Sequence, residues 1–413
     1  MKILQINKFF YVRGGASRYF FEISELLEAK GHKIAYFSMQ DKSNYKSKWS
    51  KYFVSNVSFE KVQLKNFLPV LSRIFYSFEA GKKIALLLNQ FKPDIAHVHS
   101  IYHHLSPSII LELKKRNIPI VQTVHDYHLI SPNHTLFHNG HICEITKINN
   151  YYKAIFHKCV KNSYLATFIE VLEKYVACFT GWEKNLVDYF ISPSHFASNK
   201  LREYGLAREK IVHLPNFIDY LQYQTDYCRG NYILYFGRLS EEKGLKFLLK
   251  VMSFLPEIQL KIVGEGPEKS CLKNTINYLH LSNVKIGNHL SDRDLIQTIF
   301  NARFTILSSL FFENCPNMIL ESFASGKPVV ASNIGGIPEL IQHGINGLLF
   351  EPGNIQDCKE KIIRLWKSPN YCKKMGMAGR KYLEKNFQPD IFYNRLINIY
   401  QKAINMHNSQ PTF

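Results

Sequence analysis

The chain has 413 residues, 46% of them hydrophobic and 14% aromatic, and 52 Lys and Arg stand against 33 Asp and Glu for a formal net charge of +19. At about 100–200 residues per domain the length predicts two domains, and the apolar content excludes a disordered chain. No apolar run in the sequence approaches the ~18 residues that span a bilayer. The opening MKILQINKFF lacks the apolar core of a signal peptide, and the eight cysteines are scattered, so a cytoplasmic protein in a reducing compartment is expected. Only the final HNSQPTF reads as a loose end.

In chain order, KILQI reads as a first strand. FYVRGGASRYF follows it, with Gly14 and Gly15 just before a helix over SRYFFEISELLEAKG, whose Phe20, Ile23, Leu26 and Leu27 recur at helical spacing. Paired glycines admit positive φ and close ligand approach, and a helix N-terminus offers free N–H groups. This is an anion site or a tight strand–helix turn. It is not a G-x-G-x-x-G dinucleotide fingerprint.

KIAYFS is the next strand and opens a basic stretch. Between Lys33 and Lys83 there are ten Lys or Arg against three Asp or Glu, interleaved with Trp49, Tyr52, Phe53, Phe59, Phe67, Phe75 and Phe78. That pattern fits an anionic membrane surface or a solvated face over an ordinary core. No nucleic-acid-binding motif accompanies the charge, so a nucleic-acid partner is not expected. DIAHVH, PIVQTV and DYFISP are further strands, and TVHDYH places His125 and Asp126 at a strand end. Strand and helix in alternation imply parallel sheets with right-handed crossovers.

The pattern pauses near residues 217–230 and restarts with YILYFGRL, QLKIVGEG, FTILSS and PVVAS. The chain therefore divides into residues 1–218, 219–388 and a last helix over 389–405 that belongs to either half. The fold class is α/β, with two facing Rossmann-like doubly wound domains sharing a cleft at the carboxyl ends of their strands. In GRLSEEKG, Gly237 ends a strand and Arg238 and Lys243 follow, a fork and a point charge suited to a diphosphate, or else surface partners of Glu241 and Glu242. KIVGEGPE repeats the geometry with Gly264 and Gly266, more weakly. In FFENCPNMILESFASG, Glu313 lies on the loop and Glu321 on the helix, whose start at Asn317 and Met318 offers N–H groups to phosphate. The two carboxylates suit sugar and ribose hydroxyls, or are a cap and a surface charge.

GRLSEEKG, VGEGP, the Glu313-to-Glu321 spacing and NIGGIPELIQHGINGLLFEPG together resemble glycosyltransferase family 4, of GT-B architecture, over most of the chain. The resemblance implies a retaining enzyme that uses a nucleotide sugar with no bound metal or other cofactor. It implies that Gly15 lies beside the donor diphosphate, that Arg238 and Lys243 hold it, that Glu313 binds the transferred hexose and Glu321 the ribose, and that His125 is the active-site histidine. Asn314 and Cys315 depart from the commoner Gly-Phe form of the motif. HDYHLISPNHTLFHNGHICEITK with FHKCVKNSYLA resembles a branch bearing four cysteines, of which only Cys143 and Cys159 remain. With His138 or His141 they would complete a zinc site; more simply they mark a loop over the acceptor side.

No carboxylate but Glu313 is a candidate nucleophile, so front-face substitution with the departing phosphate taking the acceptor proton is expected. The expected partners are a nucleotide-sugar donor, a glycan or lipid-linked acceptor of surface polysaccharide or lipopolysaccharide synthesis, and an anionic membrane surface. The alternative is a non-catalytic nucleotide- or glycan-binding protein derived from a transferase. Such a protein would be expected to lose Arg238, Lys243 or Glu313.

Overall fold

A computed structural model describes residues 1–57, 73–227 and 230–409. The first half builds a six-stranded sheet from β1 (Lys2–Ile6), β2 (Lys33–Phe37), β3 (Ile95–Val98), β4 (Ile120–Thr123), β7 (Tyr189–Ser192) and β8 (Ile211–His213), in the order β2-β1-β3-β4-β7-β8. A short hairpin, β5 (Phe137–His138) and β6 (His141–Ile142), stands apart from it. The second half builds another six-stranded sheet from β9 (Tyr232–Phe236), β10 (Gln259–Val263), β11 (Val284–Gly287), β12 (Phe304–Leu307), β13 (Val329–Ser332) and β14 (Gly347–Phe350), in the order β11-β10-β9-β12-β13-β14. All pairings within both large sheets are parallel.

The central strands are short and buried on both faces, as helices on both sides of a parallel sheet require. Each sheet has one point where strand order reverses: between β1 and β3 in the first, between β9 and β12 in the second. A crevice opens there at the carboxyl ends of the strands. It places Asn7 to Gly15 and His99 at the first crevice, and Gly237 to Lys243 and Ser308 to Asn317 at the second.

The last helix, Pro389–Ser409, packs on the first sheet. Phe392, Leu396, Ile399, Tyr400 and Ala403 join Ile3, Tyr19, Ile95 and Val121 in one buried cluster. Its end corrects the first three residues of the expected loose end, residues 410–413 of which lie outside the described residues. His407 to Ser409 are helical, and His407 is buried against Asp188 and Asn117.

The structure also bears on the basic stretch. In the basic Lys33–Lys83 stretch, Trp49 and Phe53 lie in the core of the first half, packed with Phe10, Phe37 and Phe91, while Phe78 is exposed. Trp49 and Phe53 thus serve the core, as the reading of a face over an ordinary core has it. Phe59 and Phe67 lie outside the described residues.

Candidate active site

The loop after β12 carries the first carboxylate. Glu313 is buried, and its Oε1 accepts from Lys243 Nζ and from Ser309 Oγ, both at 2.6 Å. Lys243 thus pairs with Glu313 and not with its neighbours Glu241 and Glu242; its ammonium also sits 4.8 Å above the Phe311 ring. Glu313 is accordingly not a helix cap.

The loop keeps its shape because two glycines lie against it. Gly336 N donates to Glu313 O at 2.7 Å. A Cβ on Gly335, at φ +61, would stand 2.5 Å from that carbonyl, and one on Gly336 would stand 1.9 Å from Asn314 O. The Gly-Gly of NIGGIPEL is therefore demanded by close backbone approach.

Arg238 follows β9 on the other side of the same crevice. It is exposed, and among the described residues its guanidinium makes no hydrogen bond or ion pair, so a fork of donors stands ready for an anion. Its backbone is fixed by Tyr235, whose hydroxyl donates to Arg238 O at 2.9 Å. Gly237 and Gly264 have a packing reason: a Cβ on Gly264 would lie 1.9 Å from Gly237 O, and Gly237 N donates to Val263 O at 3.0 Å. The helix Asn317–Ala324 begins beside this group, with Met318 buried and the Asn317 side chain accepting from Asn216 Nδ2 at 2.8 Å.

Glu321 lies on that helix and is buried, contrary to a surface charge. Burial pushes its carboxyl up to about 7, against the pull of Arg18. Arg18 comes from the helix Gly15–Ala29 of the first half. It pairs with Asp292 at 2.5 Å and approaches Glu321 at 3.6 Å, bridging the cleft. Burial raises Glu22, on the same helix, to about 7 as well. Sequence reasoning misses Arg18, although its place in the first turn after the glycine pair is a signal for an anion-facing cation.

Gly14 is extended at φ 176, and a Cβ on either Gly14 or Gly15 would meet nothing within 4 Å. The glycines leave open space in front of the helix N-terminus. Ser17 Oγ accepts from the N–H groups of Arg13 and Gly14, at 2.8 and 3.1 Å.

From the first half, His125 follows β4. Its ring stacks on His99 with Nε2 3.1 Å from His99 Nδ1, and Tyr19 meets it edge-on. Burial holds the imidazole down to about 4, so it is neutral at pH 7. Asn314, the departure from the Gly-Phe form, donates from Nδ2 to His125 O at 3.0 Å and ties the Glu313 loop to the facing half. Asp126 accepts from His128 N at 3.0 Å, and its carboxyl is held low despite burial, chiefly by His134 and His128. The structure thus brings Glu313, Lys243 and, through Asn314, His125 together, with Arg18 and Glu321 bridging the same two halves.

Cys143 and Cys159 cluster with Tyr151, Ala154 and Val171, and the neighbouring Cys159 lowers the Cys143 thiol from its ordinary value. Neither shares a three-ligand cluster with His138 or His141 among the described residues.

Two family models cover nearly the whole chain: Glycosyltransferase Family 4 matches residues 13–220, and Glycosyl transferases group 1 matches residues 226–382. The chain belongs to glycosyltransferase family 4. Sulfoquinovosyl transferase SQD2 of Arabidopsis thaliana is 33% identical over 156 residues, which is 37% of this chain and 30% of that protein. The chain therefore aligns with under a third of that relative. N-acetyl-alpha-D-glucosaminyl L-malate synthase of Bacillus anthracis is 23% identical over 396 residues, 95% of this chain and 94% of the synthase. The structure of Anabaena Alr3699/HepE in complex with UDP and glucose superposes with a TM-score of 0.69 at 17% identity, covering 97% of this chain and 100% of that one. The family member is thus an α/β protein of GT-B fold, its two parallel sheets being the two halves of that architecture. No helix among the described residues is long and apolar enough to cross a membrane.

Proposed function

We propose that this family 4 protein is a retaining, metal-independent hexosyltransferase. It moves a hexose from a UDP- or GDP-linked donor to a glycan or lipid-linked acceptor in surface polysaccharide or lipopolysaccharide assembly. The observation that carries the reading is the crevice after β9 and β12. An unpartnered Arg238 and a Lys243 held by Glu313 follow β9 there, and the helix Asn317–Ala324 starts after β12. Fixed cations and amide dipoles aimed at a leaving diphosphate stabilise the charge that builds as the glycosidic bond breaks. HepE, solved with UDP and glucose, shares the fold and supports a nucleoside diphosphate as the occupant.

In this reading the diphosphate lies between Arg238 and Lys243 on one side and the open Gly14–Gly15 turn on the other. Gly237 and Gly264 shape the donor wall, and the N–H groups of Asn317 and Met318 complete it. Glu321 accepts from the ribose hydroxyls and Glu313 from the hexose. His125, neutral and tied to His99, positions the hexose. Residues 1–218 form the acceptor side, residues 219–388 the donor side, and the last helix joins the acceptor side.

A basic, apolar face supports an anionic membrane surface beside the acceptor. Phe168, Leu172, Tyr175 and Phe179 form an exposed stripe on the helix Tyr164–Thr180, with exposed Phe156 nearby. Lys153 and Lys161 flank it in an exposed setting. The test is a panel of nucleotide sugars offered without magnesium or manganese, with released UDP or GDP quantified. One donor is expected to be hydrolysed slowly and transferred to a lipid-linked acceptor. Failure of every UDP- and GDP-sugar to bind or react overturns the reading, and strict dependence on added magnesium overturns its metal-independent part.

A further inference from the structure

The helix Tyr164–Thr180 is inverted: its outer stripe is apolar and its inner face is charged. Glu173 and Lys174 are 4% and 1% exposed, and Glu170 lies one turn before Lys174 on the same side. Opposite them stand His103, from the loop after β3, and His128, from the loop after β4. His103 Nε2 is 3.2 Å from Glu170 and 3.0 Å from Glu173, and His128 Nε2 is 3.6 Å from both carboxylates. His128 is 3% exposed, and its Nε2 is buried without a hydrogen-bond partner, aimed between the two carboxylates. One ligand atom from each residue lies within 4.8 Å of every other.

Those separations fit a common centre. With metal–ligand distances of about 2.0–2.1 Å, the edges of a tetrahedron are about 3.3 Å. The four measured nitrogen–oxygen separations, 3.0 to 3.6 Å, bracket that value. His103 is set there by a left-handed backbone at φ 63, a conformation a histidine seldom takes. The His128 ring is held from both sides: Tyr102 stacks on it with centroids 3.7 Å apart, and Lys174 Nζ lies 3.1 Å from Nδ1. Both contacts fix the plane of the ring, with Nε2 turned toward Glu170 and Glu173.

We infer that His103, His128, Glu170 and Glu173 form a binding site for one divalent transition-metal ion of the zinc class. Two imidazoles and two carboxylates suit zinc or cobalt better than calcium or magnesium, which prefer all-oxygen shells. Four protein ligands leave no open position for substrate, so the ion pins the helix Tyr164–Thr180 to the loops bearing His125 and takes no part in transfer. The inference stands apart from the donor assignment, since none of the four residues belongs to the donor crevice.

The experiment uses the full-length protein, tag removed and stripped with chelator, titrated with cobalt chloride and, separately, zinc chloride. One equivalent of cobalt should bind with the intense visible bands of a four-coordinate site and without a sulfur charge-transfer band. Zinc should displace it and raise the melting temperature. Glu173→Gln and His128→Phe should each weaken cobalt binding by about 100-fold or more, while the Cys143→Ser, Cys159→Ser double variant should bind as wild type. Absence of saturable cobalt binding to the wild-type protein would leave only a histidine–carboxylate ion-pair network and overturn the inference. Equal affinity in a folded Glu173→Gln, or loss of binding in the double cysteine variant, would do the same.

Discussion

Replacing Lys243 by alanine tests two consequences of one contact. Its ammonium sits 2.6 Å from Glu313, with the two side chains only 19% and 7% exposed. Removing one partner of a fully buried pair costs about 3–5 kcal/mol, because the other charge stays behind unpaired. The residual exposure of Lys243 and the hydroxyl of Ser309, still donating to the carboxylate, reduce that to roughly 2–3 kcal/mol. For a unit of this size the melting temperature of the second half should fall by about 4–10 °C. The catalytic effect is separable. Glu313→Gln in the same chain removes the stranded charge and should recover most of the lost stability, yet transfer should stay down by at least about 10–100-fold, the worth of one charge-assisted contact to the leaving diphosphate. Differential scanning calorimetry and single-turnover transfer measure the two. An unchanged melting temperature in Lys243→Ala would refute the pairing, and full transfer by the double variant would refute the diphosphate role.

Arg238→Ala should lower transfer by a similar factor with a melting shift under about 1 °C, because the side chain is exposed and unpartnered; calorimetry and steady-state rates separate these. Glu321 supplies a pH test. Burial raises its carboxyl from 4.5 to about 7, so the stability it lends is fully present below 4.5 and is lost as pH rises through 7. Ribose hydroxyls favour the carboxylate, so donor affinity by calorimetry should fall as pH drops below 7, and Glu321→Gln should flatten that slope. Gly335→Ala must displace the Glu313 backbone that a Cβ would meet at 2.5 Å, and should weaken hexose transfer more than nucleotide binding, read as separate changes in kcat and nucleotide Kd.

The two sheets were legible because their central strands are short apolar runs set between helical repeats. Within the two six-stranded sheets, the strands that escape a sequence reading are edge strands: β8 has three residues, β11 alternates buried and exposed positions, and β14 hides behind the glycines of NIGGIPELIQHGINGLLFEPG. Glu313, Lys243 and His125 lie in the loops that follow β12, β9 and β4, at the carboxyl side of the sheets where a sequence reading looks for a site, and the family resemblance supplied their roles. The Arg18–Asp292 bridge spans 274 residues of sequence and carries no local pattern that would announce it. The glycine pair left an anion site and a tight turn both open, and Gly14 is extended, because composition records that a Cβ is absent and not which way the chain runs. Trp49 and Phe53 show the same limit for charge: a basic stretch with aromatics looks alike whether the rings face lipid or the core.

The central claim is that a nucleoside diphosphate is gripped in the crevice after β9 and β12. A crystal of the protein soaked with a UDP- or GDP-sugar measures it directly. The account predicts both phosphates within hydrogen-bond reach of Arg238 and Lys243, the ribose on Glu321 and the hexose on Glu313. A bound nucleotide sugar whose phosphates touch neither cation would contradict it.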